Sequence, residues 1–274
     1  VLEVTTNEIR HDRVRESAGA SAPSWVSRTS FKYEGSILSA LEDKELSSSI
    51  LNCKSLFQGI ESLDTLTPDR LRQRTRTANG TLGHGGRNLA AFIYELGPKG
   101  RKGLATGLKD AYPCLKYVNS KSLRSGWKQL YASEEFDGLK LLTDARHLND
   151  GLLRMIAVLA EVNSKHGFLL FDEIENGINP ELVELVTDTL VKAKQQVVVT
   201  THSPMILNYL DDEIAKKGVM YLYKTPQGHT QSIPFFSIPS LNKKLTVMGP
   251  GEAFVDTNLA ALASEIEEQL QEEK

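Results

Sequence analysis

Two short apolar runs with a helical stretch between them constrain this chain most. They are "GFLLFD" (167–172) and "QQVVVTT" (195–201), and the text between them is "NPELVELVTDTLVKAK" (179–194). Each run is too short for a helix, and the second is rich in β-branched residues, so both read as strands. The middle stretch carries apolar residues at helical spacing, with Asn179 placed as N-cap and Pro180 in the first turn. Strand, helix and strand, with strands apolar along their whole length, call for a buried parallel sheet flanked by helices.

The surrounding text extends this α/β pattern. "DGLLRMIAVLAEVNSK" (150–165) predicts a long apolar helix, "SPMILNYL" (203–210) begins another, and "GVMYLYKTPQGHTQSIPF" (218–235) predicts two strands around a Pro-Gln-Gly turn. "NLAALASEIEEQLQEEK" (258–274) reads as an acidic amphipathic helix with a solvated face. Near residue 140 the character changes, which separates a region 1–140 from a region 141–274. The upstream region is mostly polar and helical in pattern. It opens on a strand, "VLEVTTNEIR", followed by a small polar connection at 17–24 and helical spacing over 36–60. Arg70, Arg72, Arg74 and Arg76 in "DRLRQRTRTANG" read first as a solvated face, with contact to a partner or nucleic acid as the alternative.

Composition narrows the function classes. The chain has 274 residues, 40% of them hydrophobic, and a net charge of −3. That gives no global electrostatic case for nucleic acid. No apolar run approaches the roughly 20 residues that span a bilayer, so no membrane role is expected. Cys53 and Cys114 stand alone, outside any metal-ligand spacing, which favours a reducing, cytoplasmic setting.

The chemistry concentrates where the strands end. Asp172, Glu173 and Glu175 crowd together after the first run, and ionised carboxylates repel unless something positive sits nearby. In an open parallel sheet, polar residues past a strand's carboxyl end face the ligand crevice. One carboxylate there can hold Mg²⁺ and the next can deprotonate a water. The second run ends in Thr200, Thr201, His202 and Ser203. If the strands are neighbours, His202 and Glu173 converge at one sheet edge, and the imidazole can donate to a phosphate oxygen. Upstream, Asn149 and Asp150 can cap the helix that follows, with Gly151 allowing close backbone approach. Free N–H groups at such a helix start attract anions.

In this order the pieces resemble the ATP-binding-cassette ATPases. "HLNDG" (147–151) looks like their signature motif, "FLLFDE" (168–173) like Walker B, "ENGINP" (175–180) like the D-loop, and "TTHSP" (200–204) like the switch histidine. The wording is similar to the soluble, non-transporter branch, which includes RecF, the structural-maintenance-of-chromosomes proteins and overcoming-lysogenization-defect-like ATPases. "MGPGEAFVDTNL" (248–259) resembles the C-terminal segment of the last group, and "FKYEGSILSAL" with "LGHGGRNLAAFIYEL" more weakly resembles the arm upstream of the signature.

The resemblance implies an α/β fold of the P-loop NTPase type, seen here as its C-terminal part with a helical arm upstream. Residues 1–140 would be a remnant of the ATPase lobe and its arm. Residues 141–274 would be the lobe of signature, Walker B and switch histidine. It implies ATP and Mg²⁺, with Asp172 on the metal, Glu173 as general base and His202 against the γ-phosphate. It also implies a homodimer that sandwiches ATP. There Asn149, Asp150 and Gly151 of one copy cover the phosphate held by the other, and Glu175 and Asn176 touch the partner. Asn149 and Gly151 should then sit exposed, away from Asp172 of their own chain. By association with this branch, the dimer would move an effector protein or act in DNA repair or phage defence, with nucleic acid left open as a partner.

The chain departs from the family in one place. The phosphate loop G-x-x-x-x-G-K-[ST] is not found. The nearest text, "GTLGHGGRN" (80–88), has Arg87 and Asn88 where Lys and Ser or Thr belong, and reads as a turn before a helix. The missing loop and the missing initiator Met fit an N-terminal segment lying outside this chain. Within the signature, Asn149 stands where the family usually has Ser, and Asp150 where many members have Gly. Two other classes stay open: a metal-dependent nuclease built on Asp172, Glu173 and Glu175, and a non-hydrolysing interaction module on the same fold.

Overall fold

In a computed structural model, the protein is described over residues 2–5, 8–12, 25–30, 38, 42–63, 66–225, 227–259, 262 and 265–266. The connection at 17–24, most of "FKYEGSILSAL" and most of the acidic stretch 258–274 lie outside these residues. Backbone contacts divide the chain into two units: residues 1–61 with 166–168, and the remainder.

In the first unit the opening text, expected as one strand, is two. β1 (Leu2–Thr5) and β2 (Glu8–Asp12) pair antiparallel, and β2 pairs antiparallel with β3 (Trp25–Ser30). The helical spacing over 36–60 gives α1 (Ser48–Gln58), which has no buried residue. β4 (Ile60–Leu63) begins here and ends in the second unit.

The second unit begins with a short helix, α2 (Pro68–Leu71), and a glycine turn. It continues with α3 (Leu89–Glu95) and α4 (Gly97–Leu108). Then comes a sheet that the polar upstream text did not announce. β5 (Leu115–Ser122), β6 (Lys128–Phe136) and β7 (Leu139–Asp144) form an antiparallel meander. α5 (Asp150–Val162) is the centre of the unit. Gly151–Leu153 and Met155–Glu161 are buried, so the helix is enclosed almost all round, as its apolar text predicts. It packs against α2, α4 and α6 (Pro180–Val191).

β8 (Phe168–Phe171), α6 and β9 (Gln196–Val199) form the predicted strand–helix–strand unit. The sheet order is β4-β8-β9. Past the strand ends, Thr200 N donates to Phe171 O (2.9 Å) and Ile174 N to Thr200 O (3.4 Å). That stagger, advancing the same way on both chains, is the parallel one. The fold is thus α/β, with a parallel sheet flanked by helices. β8 alternates between buried and half-buried residues. β9 does not meet the expectation of full burial: Gln196 and Val198 are exposed. It is the last strand in its sheet, and its residues line an apolar cavity of about 760 Å³ that Tyr221 and Leu222 also line. α7 (Pro204–Asn208), α8 (Asp212–Gly218), the hairpin β10 (Met220–Lys224) and β11 (Thr230–Pro234), α9 (Pro239–Lys244) and α10 (Pro250–Val255) complete the unit. Ala215, Ile233, Phe235, Phe236, Ile238 and Leu241 are in a second apolar cluster there.

Phe171 is the last residue of β8 and 1% exposed. Phe171→Ala is expected to lower the free energy of unfolding by about 3–5 kcal/mol, from lost burial plus the cavity left behind. A urea titration of the two proteins checks it.

Candidate functional site

The candidate site stands on the carboxyl ends of β8 and β9, where the backbone leaves the ladder. Thr200 joins the two ends. Its hydroxyl donates to Asp172 Oδ1 and accepts from Glu173 N (2.9 Å). Asp172 is exposed, so a solvent-facing carboxylate is oriented by a neighbouring strand. It is a hard oxygen donor, the type that suits Mg²⁺, which keeps most of its waters and takes one or two protein carboxylates.

Glu173 has φ +46°, in the left-handed region. For a residue with a side chain this conformation costs roughly 1–2 kcal/mol. Such strain collects at functional sites when the surroundings hold it in place. Here the holding groups are Thr200 on the Glu173 amide and Asn176, whose N donates to Glu173 O (2.9 Å). Asn176 Nδ2 also donates to Glu173 Oε2 (3.2 Å). His202 Nε2 lies 3.6 Å from Glu173 Oε1 with its side chain 88% exposed. His202 and Glu173 therefore converge above the strand ends, and the imidazole faces solvent. His202 N donates to Glu175 Oε1 (3.0 Å), while Glu175 Oε2 is buried without a protein partner. Glu175 thus turns into its own chain.

The three carboxylates do not form one metal cluster. Asp172 takes Thr200, Glu173 faces Asn176 and His202, and Glu175 binds the His202 backbone. Among the described residues no three His, Cys, Asp or Glu gather to hold a metal.

At the start of α5, Asn149 is the N-cap, and its Oδ1 accepts from Leu152 N (2.7 Å). It also bonds the Tyr112 side chain; burial pushes the Tyr112 hydroxyl up, against that bond. Asp150 accepts from Arg72 Nη2 (2.5 Å), which also donates to Leu148 O (2.8 Å). Arg72 is therefore not part of a free solvated face: it ties α2's end to α5's start. Arg70 reaches His84 O (3.2 Å), and Arg76 stacks over Trp127 at 5.2 Å. Gly151 is buried, against the expectation of an exposed helix start. A Cβ there would meet Leu182 Cδ1 at 3.6 Å and Asn179 Cγ at 3.9 Å, because α6's first turn covers it. Asn149 and Asp150 are exposed beside it. Asn179 is the N-cap of α6 by backbone geometry, without a side-chain cap bond.

Sequence reasoning passed over Arg154 and gave Thr200 no role of its own. Arg154 Nη1 donates to Asn176 O (2.6 Å), and burial lowers its guanidinium pKa, opposed by the Asp150 charge. A lone arginine in the apolar text "GLLRMIAV" was the available signal, since arginine is seldom buried unpaired.

Residues 91–208 match the family described as "AAA domain, putative AbiEii toxin, Type IV TA system". No curated protein matches the chain. Among solved structures, one described as "Structural biochemistry of ATP-driven dimerization and DNA stimulated activation of SMC ATPases" is 13% identical, with TM-score 0.39, covering 49% of this chain and 81% of that one. The Smc head bound to the C-winged helix domain of ScpA is 14% identical, with TM-score 0.38, covering 49% of this chain and 41% of that one. The Smc head domain with a coiled coil and joint from Pyrococcus yayanosii is 14% identical, with TM-score 0.35, covering 49% and 26%. The matched family segment contains α5, β8, α6, β9 and the whole arrangement around Asp172, Glu173 and His202, and over that segment the chain is similar to this AAA-domain family.

Proposed function

We propose that this chain supplies the Walker B, signature and switch-histidine part of an ATPase that dimerises around Mg-ATP. The observation that carries the reading is Glu173. Its carboxylate is held in a strained backbone conformation between Asn176 and His202, one residue past the metal-suited Asp172. When bound, Mg²⁺ neutralises the charge that develops on the β- and γ-phosphate oxygens. Asp172 would hold that ion. Glu173 takes a proton from the attacking water on a carboxylate oxygen, and Asn176 Nδ2 fixes the rotamer that presents it. His202, with its exposed Nε2, donates to the γ-phosphate.

Residues 141–274 would form the lobe that carries these groups, and residues 1–140 the remnant of the other lobe with its arm. Asn149 and Asp150, at the exposed start of α5, would meet the nucleotide of a second copy. Gly151 would lie beneath α6's first turn, where a Cβ would make ordinary van der Waals contacts. Glu175 would act on the partner through the loop it braces, with Asn176 exposed beside it. An effector protein would be moved by the opening and closing of the dimer, with nucleic acid left as a question for binding assays. No helix among the described residues is long and apolar enough to cross a membrane.

His202→Ala tests the reading. The exposed imidazole has little to do with stability, and surface changes of this kind stay within about 0.5 kcal/mol. In a form of the protein that hydrolyses ATP, turnover should fall on the order of 10²-fold, as for removal of one donor to developing charge. Steady-state ATP hydrolysis and a thermal melt on the same samples give both numbers. Unchanged turnover with an unchanged melt sinks the assignment of His202.

A further inference from the structure

We infer that Arg154 is a positioning residue for Glu173, acting through Asn176 and linking the helix that begins at Asn149 to the general base. This rests on the reading of Glu173 given above and extends it. Three observations carry it. Arg154 Nη1 donates to Asn176 O at 2.6 Å, while Asn176 Nδ2 donates to Glu173 Oε2 at 3.2 Å. One residue's backbone and side chain thus connect the guanidinium to the carboxylate. Next, Gly177 follows at φ +69°, and a Cβ there would lie 2.7 Å from Arg154 Cζ. The loop passes the guanidinium so closely that a Cβ there would displace it, and the positive φ favours glycine as well. Finally, Arg154 Nε is buried without a protein partner. A group placed only for stability would be expected to satisfy its donors, because a buried unpaired donor is costly.

The charge has a reason to be arginine. Its planar fork donates to a carbonyl while lying flat against the Gly177 backbone, which a lysine ammonium cannot do. Arg154 is one turn beyond Asp150 on α5, and the Asp150 charge acts on it across that turn. A displacement at the start of α5, where Asn149 and Asp150 are exposed, reaches Arg154 within one helical turn and Glu173 two hydrogen bonds later. The path is short and uses rigid elements, the helix and a turn closed by Ile178 N donating to Glu175 O (3.0 Å).

The test combines structure and rate. In this chain, amide hydrogen exchange over residues 173–178 should quicken at least about tenfold in Arg154→Ala, with the interior of α5 unchanged. In a form of the protein that hydrolyses ATP, Arg154→Ala should lower kcat by about 10- to 100-fold with little change in KM, since small misplacements of a catalytic group have effects of that size. Arg154→Lys should recover only part of the rate. Gly177→Ala should reproduce the loss by pushing the guanidinium aside. In a Glu173→Gln background, Arg154→Ala should have less than about a twofold further effect, as for residues that act as one unit. Unchanged exchange, or an undiminished effect in the Glu173→Gln background, overturns the inference. Failure of the general-base reading shows separately, as full kcat in Glu173→Gln alone, and takes this inference with it.

Discussion

Glu173→Gln, in the ATP-hydrolysing form of the protein, lowers turnover by about 10²–10⁴-fold, the range for loss of a general base, and leaves ATP bound. The amide has the shape of the carboxylate, and its carbonyl oxygen still accepts from Asn176 Nδ2. The backbone brace from Thr200 and Asn176 does not involve the side chain. Asp172 and its Thr200 contact are untouched. On the proposed reading, what disappears is the oxygen that would take the proton from water. Single-turnover hydrolysis measures the rate and equilibrium dialysis with labelled ATP measures the binding. Equal rates for the two proteins exclude Glu173 as the base, and a loss of binding to match the loss of rate gives it a different role.

The chain of residues 1–274, purified by itself, turns over Mg-ATP no faster than a protein-free control. A phosphate loop works by turning several backbone N–H groups and a lysine toward the β- and γ-phosphates. The glycine-rich text at 80–88 does neither. Gly86 N donates to Gly83 O (2.9 Å) and Asn88 N to Leu82 O (2.9 Å), while Gly85 O accepts from Thr67 N (3.1 Å). The N–H groups close their own turn. The space inside is filled as well: a Cβ on Gly86 would lie 2.3 Å from Leu71 Cδ2. The glycines serve close packing against α2, and no cradle is left. Phosphate release at saturating ATP checks the expectation. Robust turnover that vanishes on Glu173→Gln would mean that another stretch of this chain supplies the missing contacts.

The part of the fold that presents the site was legible because its signals are local. β8 is an uninterrupted apolar run and β9 carries three successive valines, α6 starts at an Asn-Pro pair, and α5 is apolar nearly throughout. The meander β5–β7 was hidden for a physical reason. "KYVNSKS" and "KQLYASEEF" mix charge with apolar residues on faces that are half solvated, and the register shifts between Leu115 and Tyr117. That irregularity breaks the period-two alternation by which a strand is recognised. At the site, the convergence of His202 on Glu173 followed from strand adjacency alone. The burial of Gly151 did not, because it depends on where α6's first turn lands. Nor did Arg154, whose partner is a backbone carbonyl 22 residues away. A side chain that recognises main chain leaves no complementary residue in the text.

The backbone angle at Glu173 gives the site a second use, as a record of ancestry. Glycine would relax that angle, and asparagine tolerates it better than glutamate does. A lineage that still needs the carboxylate keeps paying for it in stability. A lineage released from that need gains by losing it, and the first residues to accumulate there are the ones the backbone prefers. On the proposed reading of Glu173, Gly or Asn after the Asp of "LLFD" in a related chain would therefore mark a copy that has given up hydrolysis and kept the scaffold, readable from a single column without any assay.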